Sequence, residues 1–148
     1  MSIIDLKILF KRDLNKLKAE IELYQDQSII WHIDTGITNS AGNLCLHLIG
    51  NLNTYIGATL GNSNYIRNRE LEFSLKDIPK DVLITKIEEV ITIIDVTLSN
   101  LSEEMLKKEY PLLVLETKTT TEFFLIHLTT HLNYHLGQIN YQRRLLDK

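Results

Sequence analysis

Apolar residues recur at every third or fourth position from Ile3 to about Gln27, at Ile3, Leu6, Phe10, Leu14, Leu17, Ile21 and Tyr24. That spacing keeps one face of an α-helix apolar, so it predicts a first amphipathic helix. The stretch SIIWHIDTGITNSAGN then carries glycine and the cap-forming pair Asn39-Ser40, and reads as a connection ending at the N-cap of a second helix, about Ala41 to Leu60. One face of that helix presents Leu44, His47, Leu48, Asn51, Tyr55 and Ala58, with a stop near Gly61-Asn62. Between Gly61 and Pro79 periodicity fades and charges accumulate, which predicts a long irregular connection able to run the length of a bundle. From Asp81 to Leu101 the helical period returns at Leu83, Ile87, Val90, Ile91, Ile94, Leu98 and Leu101. It overrides the β-branched patch ITIIDVT, which alone suggests a strand. After the irregular SEEMLKKEYPLLVLETKT, the pair Thr119 and Glu122 has capping-box spacing and opens a last helix, about Thr121 to Leu146.

Four long amphipathic helices with no hairpin signal and no internal repeat close most economically into an all-α four-helix bundle. The chain has 148 residues, 44% hydrophobic and 24% charged, which suits one domain with a packed core, residues 1–148. Its formal net charge of −3, with no basic run longer than Lys11-Arg12 or Arg143-Arg144, argues against a nucleic-acid partner. The N-terminal residues mix charges with apolar positions, unlike a signal peptide, and no segment is apolar for the roughly 20 residues that span a bilayer. The expectation is a cytoplasmic protein without a membrane partner. The single cysteine, Cys45, excludes an internal disulfide and a multi-cysteine zinc site, and reads as a small buried apolar side chain.

Histidine placement carries the chemistry. His127, His131 and His135 step by four along the last helix, each turned about 40° and raised about 6 Å from the one before. Adjacent members can converge on one ion, but the outer two, about 12 Å apart along the axis, cannot. A site therefore uses His127 with His131, or His131 with His135. The zinc-protease motif HExxH has the same pair but needs a glutamate where this chain has Leu132. A third ligand must come from another helix, and His47 is the histidine on the inward stripe of one, with Asn51 one turn on as a supporting group. Solvated or core-satisfied histidines meet the same spacing, so spacing leaves both readings open.

Three segments, NSAGNLCLHLIGNLNTYIG around His47, YIRNRELEFS from Tyr65 to Ser74, and HLTTHLNYHLGQINYQRR near the C-terminus, together resemble the DinB-like (DinB/YfiT-like metalloenzyme) superfamily over nearly the whole chain. The resemblance implies a bundle with up-down-down-up order whose long connection joins helices two and three. It also implies a metal triad of His47, His131 and His135 with zinc or nickel, leaving His127 as a pocket or packing residue. It suggests a metal-dependent hydrolase, or a transferase of a low-molecular-weight thiol such as bacillithiol, acting on a small molecule, and it allows a homodimer. The alternative is a non-catalytic helical binding or dimerisation module with structural or no metal.

Three neutral histidines would leave a divalent ion an open position, as in catalytic sites. Tyr134, Gln138 and Tyr141 lie within the matched pattern, and the amide of Gln138 is placed to orient the His135 imidazole or to serve helix packing. Arg67, Arg69, Glu70 and Glu72 either reach the bundle mouth and contact an anionic substrate or form a solvated loop. Gly137 is expected to admit a neighbouring helix. No catalytic base is legible in the sequence.

Overall fold

The computed structural model describes residues 1–148 and is all helical, with 68% of residues in helices. Its long elements are α1 (Ile3–Leu23), α2 (Ala41–Leu52), α4 (Lys80–Ser99) and α6 (Thr121–Leu146), with short helices α3 (Arg69–Ser74) and α5 (Glu103–Lys107) in the connections. Both longer connections thus contain a turn of helix that the fading periodicity hid. Each is started by a side-chain cap: Asn68 accepts from the Leu71 N–H, and Ser102 from the Met105 N–H.

Cross-helix bonds fix the order of directions. Lys7 bonds Ser99 and Lys18 bonds Glu88, so α1 and α4 are antiparallel, whereas Asn133 donates to Asp13 and Asn140 to Glu20, so α1 and α6 are parallel. Gln142 reaches the Asn39 carbonyl while the Tyr55 ring meets Phe124, so α2 and α6 are antiparallel. The result is the up-down-down-up bundle, in which α2 and α4 run the same way. Residues 59–79 must therefore carry the chain back along the bundle, and this return lays α3 across α2. A cluster of 30 buried apolar residues drawn from all four long helices forms one core, with Leu6, Leu48, Leu83 and Leu132 among its fully buried members.

Several predicted boundaries move. The first helix ends at Leu23 rather than Gln27: Tyr24 turns extended, and Asp26 caps a separate 3-10 turn over Gln27–Trp31. Ser40 caps α2 as expected. Beyond Leu52, however, the α2 helix widens into a π-helical stretch, Asn53–Ala58, with the Thr59 N–H bonding the Thr54 carbonyl and the Gly61 N–H that of Ile56. The extra residue per turn delays the inward stripe, so Ile56 is fully buried while Tyr55 and Ala58 are half-buried. The α6 cap is Thr120, which accepts from the Phe123 N–H; Thr119 instead bonds Tyr110 in a short antiparallel bridge, so the Thr119/Glu122 capping box does not form. Gly137 faces open space: a methyl group there would meet no atom within 4 Å, so it brings no helix close.

Candidate metal centre

His47 projects from α2 toward α6 because α2 is buried on every side and the stripe that faces α6 includes it. One ring nitrogen from each of His47, His131 and His135 falls within 4.8 Å of the others, and His47 Nε2 lies 3.2 Å from His131 Nε2. Two nitrogen ligands of one tetrahedral zinc lie about 3.3 Å apart, so this convergence fits a shared divalent ion. His127 stands outside the group, its ring stacked between Phe124 at 5.8 Å and His131 at 6.4 Å. Of the two pairs that the spacing left open, the fold brings His131 and His135 together with His47.

Two of the three imidazoles are held by partners on their other nitrogen. Glu72 Oε1 accepts from His47 Nδ1–H at 3.1 Å, and Gln138 Oε1 accepts from His135 Nδ1–H at 2.6 Å. Each bond puts the proton on Nδ1 and leaves Nε2 bare, which is how carboxylate and carbonyl partners prepare histidine as a ligand. The role foreseen for Asn51 beside His47 is thus filled by Glu72. Asn51 itself is buried, and its Oδ1 has no hydrogen-bond partner; the same is true of His131 Nδ1.

Glu72 is 5% exposed and arrives from α3, 25 positions along the chain from His47. Arg67 clamps it with two bonds, Nε to Oε2 at 2.8 Å and Nη2 to Oε1 at 2.9 Å, and the guanidinium also lies over the Tyr55 ring. Burial works against the Glu72 charge, but the bonds from His47 and Arg67 outweigh it and hold the carboxyl below its ordinary range. The four-residue charged set in the connection therefore divides: Arg67 and Glu72 build the site, while Arg69 and Glu70 stay exposed. Room for the carboxylate comes from Gly50, where a methyl group would collide with Glu72. A mid-helix glycine three positions after His47 was the available sign that something packs there.

Burial and the neighbouring rings push His131 down to about 4, and burial also lowers His135. Both are neutral near pH 7, the form that binds metal. A groove of about 550 Å³ opens beside His135, lined by Thr38, Asn39, Tyr134, Gln138, Tyr141 and Gln142. A second cavity of about 520 Å³, more apolar, lies on the α3 and α4 side of α2 among Leu46, Ile49, Tyr65 and Leu71. It meets the site through Glu72, whereas the groove of about 550 Å³ has one of the three histidines, His135, in its wall. Cys45 is fully buried and its thiol is pushed up to about 12, so it takes no part.

Comparison with known proteins agrees with this architecture. A crystal structure of a DinB-like protein from Bacillus cereus superposes with a TM-score of 0.68 over 90% of this chain and 85% of that one, at 17% identity. No curated protein matches the chain. Residues 5–148 match the family model described as "Protein of unknown function (DUF1572)". The chain belongs to this family, which is a DinB-like family.

Proposed function

We propose that the chain is a metal-dependent enzyme acting on a small molecule, with transfer of a low-molecular-weight thiol as the first reading and hydrolysis as the second. The observation that carries it is the convergence of three histidines, two of them already fixed in the ligand tautomer by Glu72 and Gln138, beside a groove of substrate size. Zinc or nickel suits three imidazoles. Such an ion supplies Lewis acidity that favours the thiolate or hydroxide form of a small ligand at its open position.

The protein's own groups favour thiol transfer. Glu72 is committed to His47 and Arg67, so it orients a ligand rather than abstracting a proton from substrate. A thiol whose pKa is lowered on binding needs no further base, whereas hydrolysis gains from one. The groove offers the amides of Asn39, Gln138 and Gln142, the Thr38 hydroxyl and two tyrosines beside Ile37, Leu44 and Leu145, which suits a thiol carrier with both polar and apolar parts. A cytoplasmic setting, where small thiols are kept reduced, agrees with this reading. Ile4 and Ile8, exposed one turn apart on α1, supply apolar surface that a homodimer would bury.

The test is turnover. Protein reconstituted with zinc or nickel is given a sugar-linked thiol with an activated aryl halide, and separately an activated ester. Metal-dependent thiol conjugation that His135→Ala abolishes supports the first reading. Ester cleavage alone shifts the assignment to hydrolysis, and a protein that takes up neither metal and is inactive in both assays leaves the helical binding module.

A further inference from the structure

Leu46, Ile49 and Asn53 share the outer face of the second helix, spaced three and four residues apart, and span about 10 Å along one wall of the cavity of about 520 Å³. The cavity is graded along that length. At the Leu46 end, Asn43 bonds the Leu75 carbonyl and draws Leu75 and Ile78 over α2, so the wall there is apolar. At the other end it is polar. A methyl group added at Gly57 would lie 3.0 Å from Ile93 Cγ2, 3.4 Å from Ser63 Oγ and 3.8 Å from Asn53 Oδ1, and all three of those residues line the cavity. Glycine leaves the carboxamide and the hydroxyl uncovered at that spot.

Asn53 is the residue that the packing alone does not explain. It is 9% exposed, heads the π-helical stretch, and bonds no other protein group through its carboxamide. Burying an amide without a bond costs free energy that an apolar residue of similar volume would avoid. Unlike Asn51 Oδ1, which is sealed from the surface, the Asn53 amide keeps its remaining exposure at the cavity it lines. π-Helical turns recur at functional sites, where the wider turn re-aims side chains. The ionic groups of the wall cancel, since Lys86 and Glu89 lie one turn apart on α4 and Glu72 is paired with Arg67. At the mouth, Tyr65, Ile66, Leu71 and Leu75 are exposed apolar side chains on one short segment, as at the rim of a ligand site. We propose that this cavity is a second small-molecule site, apart from the metal centre, for an uncharged ligand with a carboxamide head and an apolar body. The head presents one donor and one acceptor side by side, which the Asn53 carboxamide meets with its own acceptor and donor. The body lies along Ile49 and Leu46, in a volume typical of small-molecule pockets.

The test is an NMR titration of the ¹⁵N-labelled, chelator-treated chain with 4-phenylbutanamide, its acid 4-phenylbutanoate, and butylbenzene. The amide should shift the Asn53 side-chain signals and the backbone amides around Leu46, Ile49 and Leu71 with one saturable affinity, about 10-fold tighter than the acid. Asn53→Leu keeps the volume and removes an unbonded amide, so it should melt no lower than wild type. It should weaken the amide probe about 10-fold while binding butylbenzene at least as well as wild type does. Four results overturn the proposal: no saturable shift at Asn53 in wild type, shifts confined to the groove at His135, acid bound as tightly as amide, or amide binding in Asn53→Leu that is undiminished or falls only in step with butylbenzene. The titration needs no metal, so its failure and the failure of the metal reading are separate results.

Discussion

Glu72 ties the site together at the scale of single residues, since it orients His47, neutralises Arg67 and sits in the space that Gly50 leaves. Gly50→Ala should displace that carboxylate, destabilising the fold by about 1–3 kcal/mol as overpacking does, with zinc affinity falling in step. Denaturant unfolding and metal titration of the same variant measure both effects. Glu72→Gln should keep the shape but lose the charge, leaving the half-buried Arg67 without its counter-ion, and should weaken zinc binding about 10- to 100-fold. His131 sets the acid limit. Its folded-state pKa, pushed down to about 4, lies below its unfolded value of 6.5, so the unfolded chain takes up the proton first. Stability from this group is therefore complete above about pH 6.5 and is lost as pH falls toward 4. Melting temperatures of chelator-treated protein should drop across that window, and His131→Leu should flatten the drop.

Among the elements, the long helices were legible because their apolar stripes are long and regular, and the short ones were not. Five or six residues, as in α5 and α3, show barely one turn of periodicity, so their Ser102 and Asn68 caps were the only local signs. The π-helical stretch after Leu52 was hidden for a related reason: its wider turn breaks the period that sequence reading extrapolates. Gly50 and Gly137 play opposite parts, and Gly137 reverses expectation. Gly50 admits a neighbour, whereas Gly137 faces open space, so Gly137→Ala should stabilise the protein by about 0.5–1 kcal/mol with the metal site unaffected, as read from thermal unfolding and metal content.

For the whole molecule, fold and ligand set were readable to different depths. The inward histidine stripe needs only helical spacing, and His131 and His135 share one helix, so local pattern brings them near each other. Choosing His135 over His127 needs the register of α2 against α6, which spacing does not encode and which the family resemblance supplied. Glu72 needs more still, because the return connection between two parallel helices folds α3 back onto α2. No helix is long and apolar enough to cross a membrane.

Metal stoichiometry tests the account at its centre. Tag-free wild type, His131→Ala and His127→Ala are loaded with zinc or nickel, dialysed, and assayed by mass spectrometry. Wild type and His127→Ala should each retain about one ion per chain and His131→Ala none, since of these two histidines His131 alone belongs to the converging set. Equal loss in both variants, or no retained metal in wild type, would contradict a centre built on His47, His131 and His135.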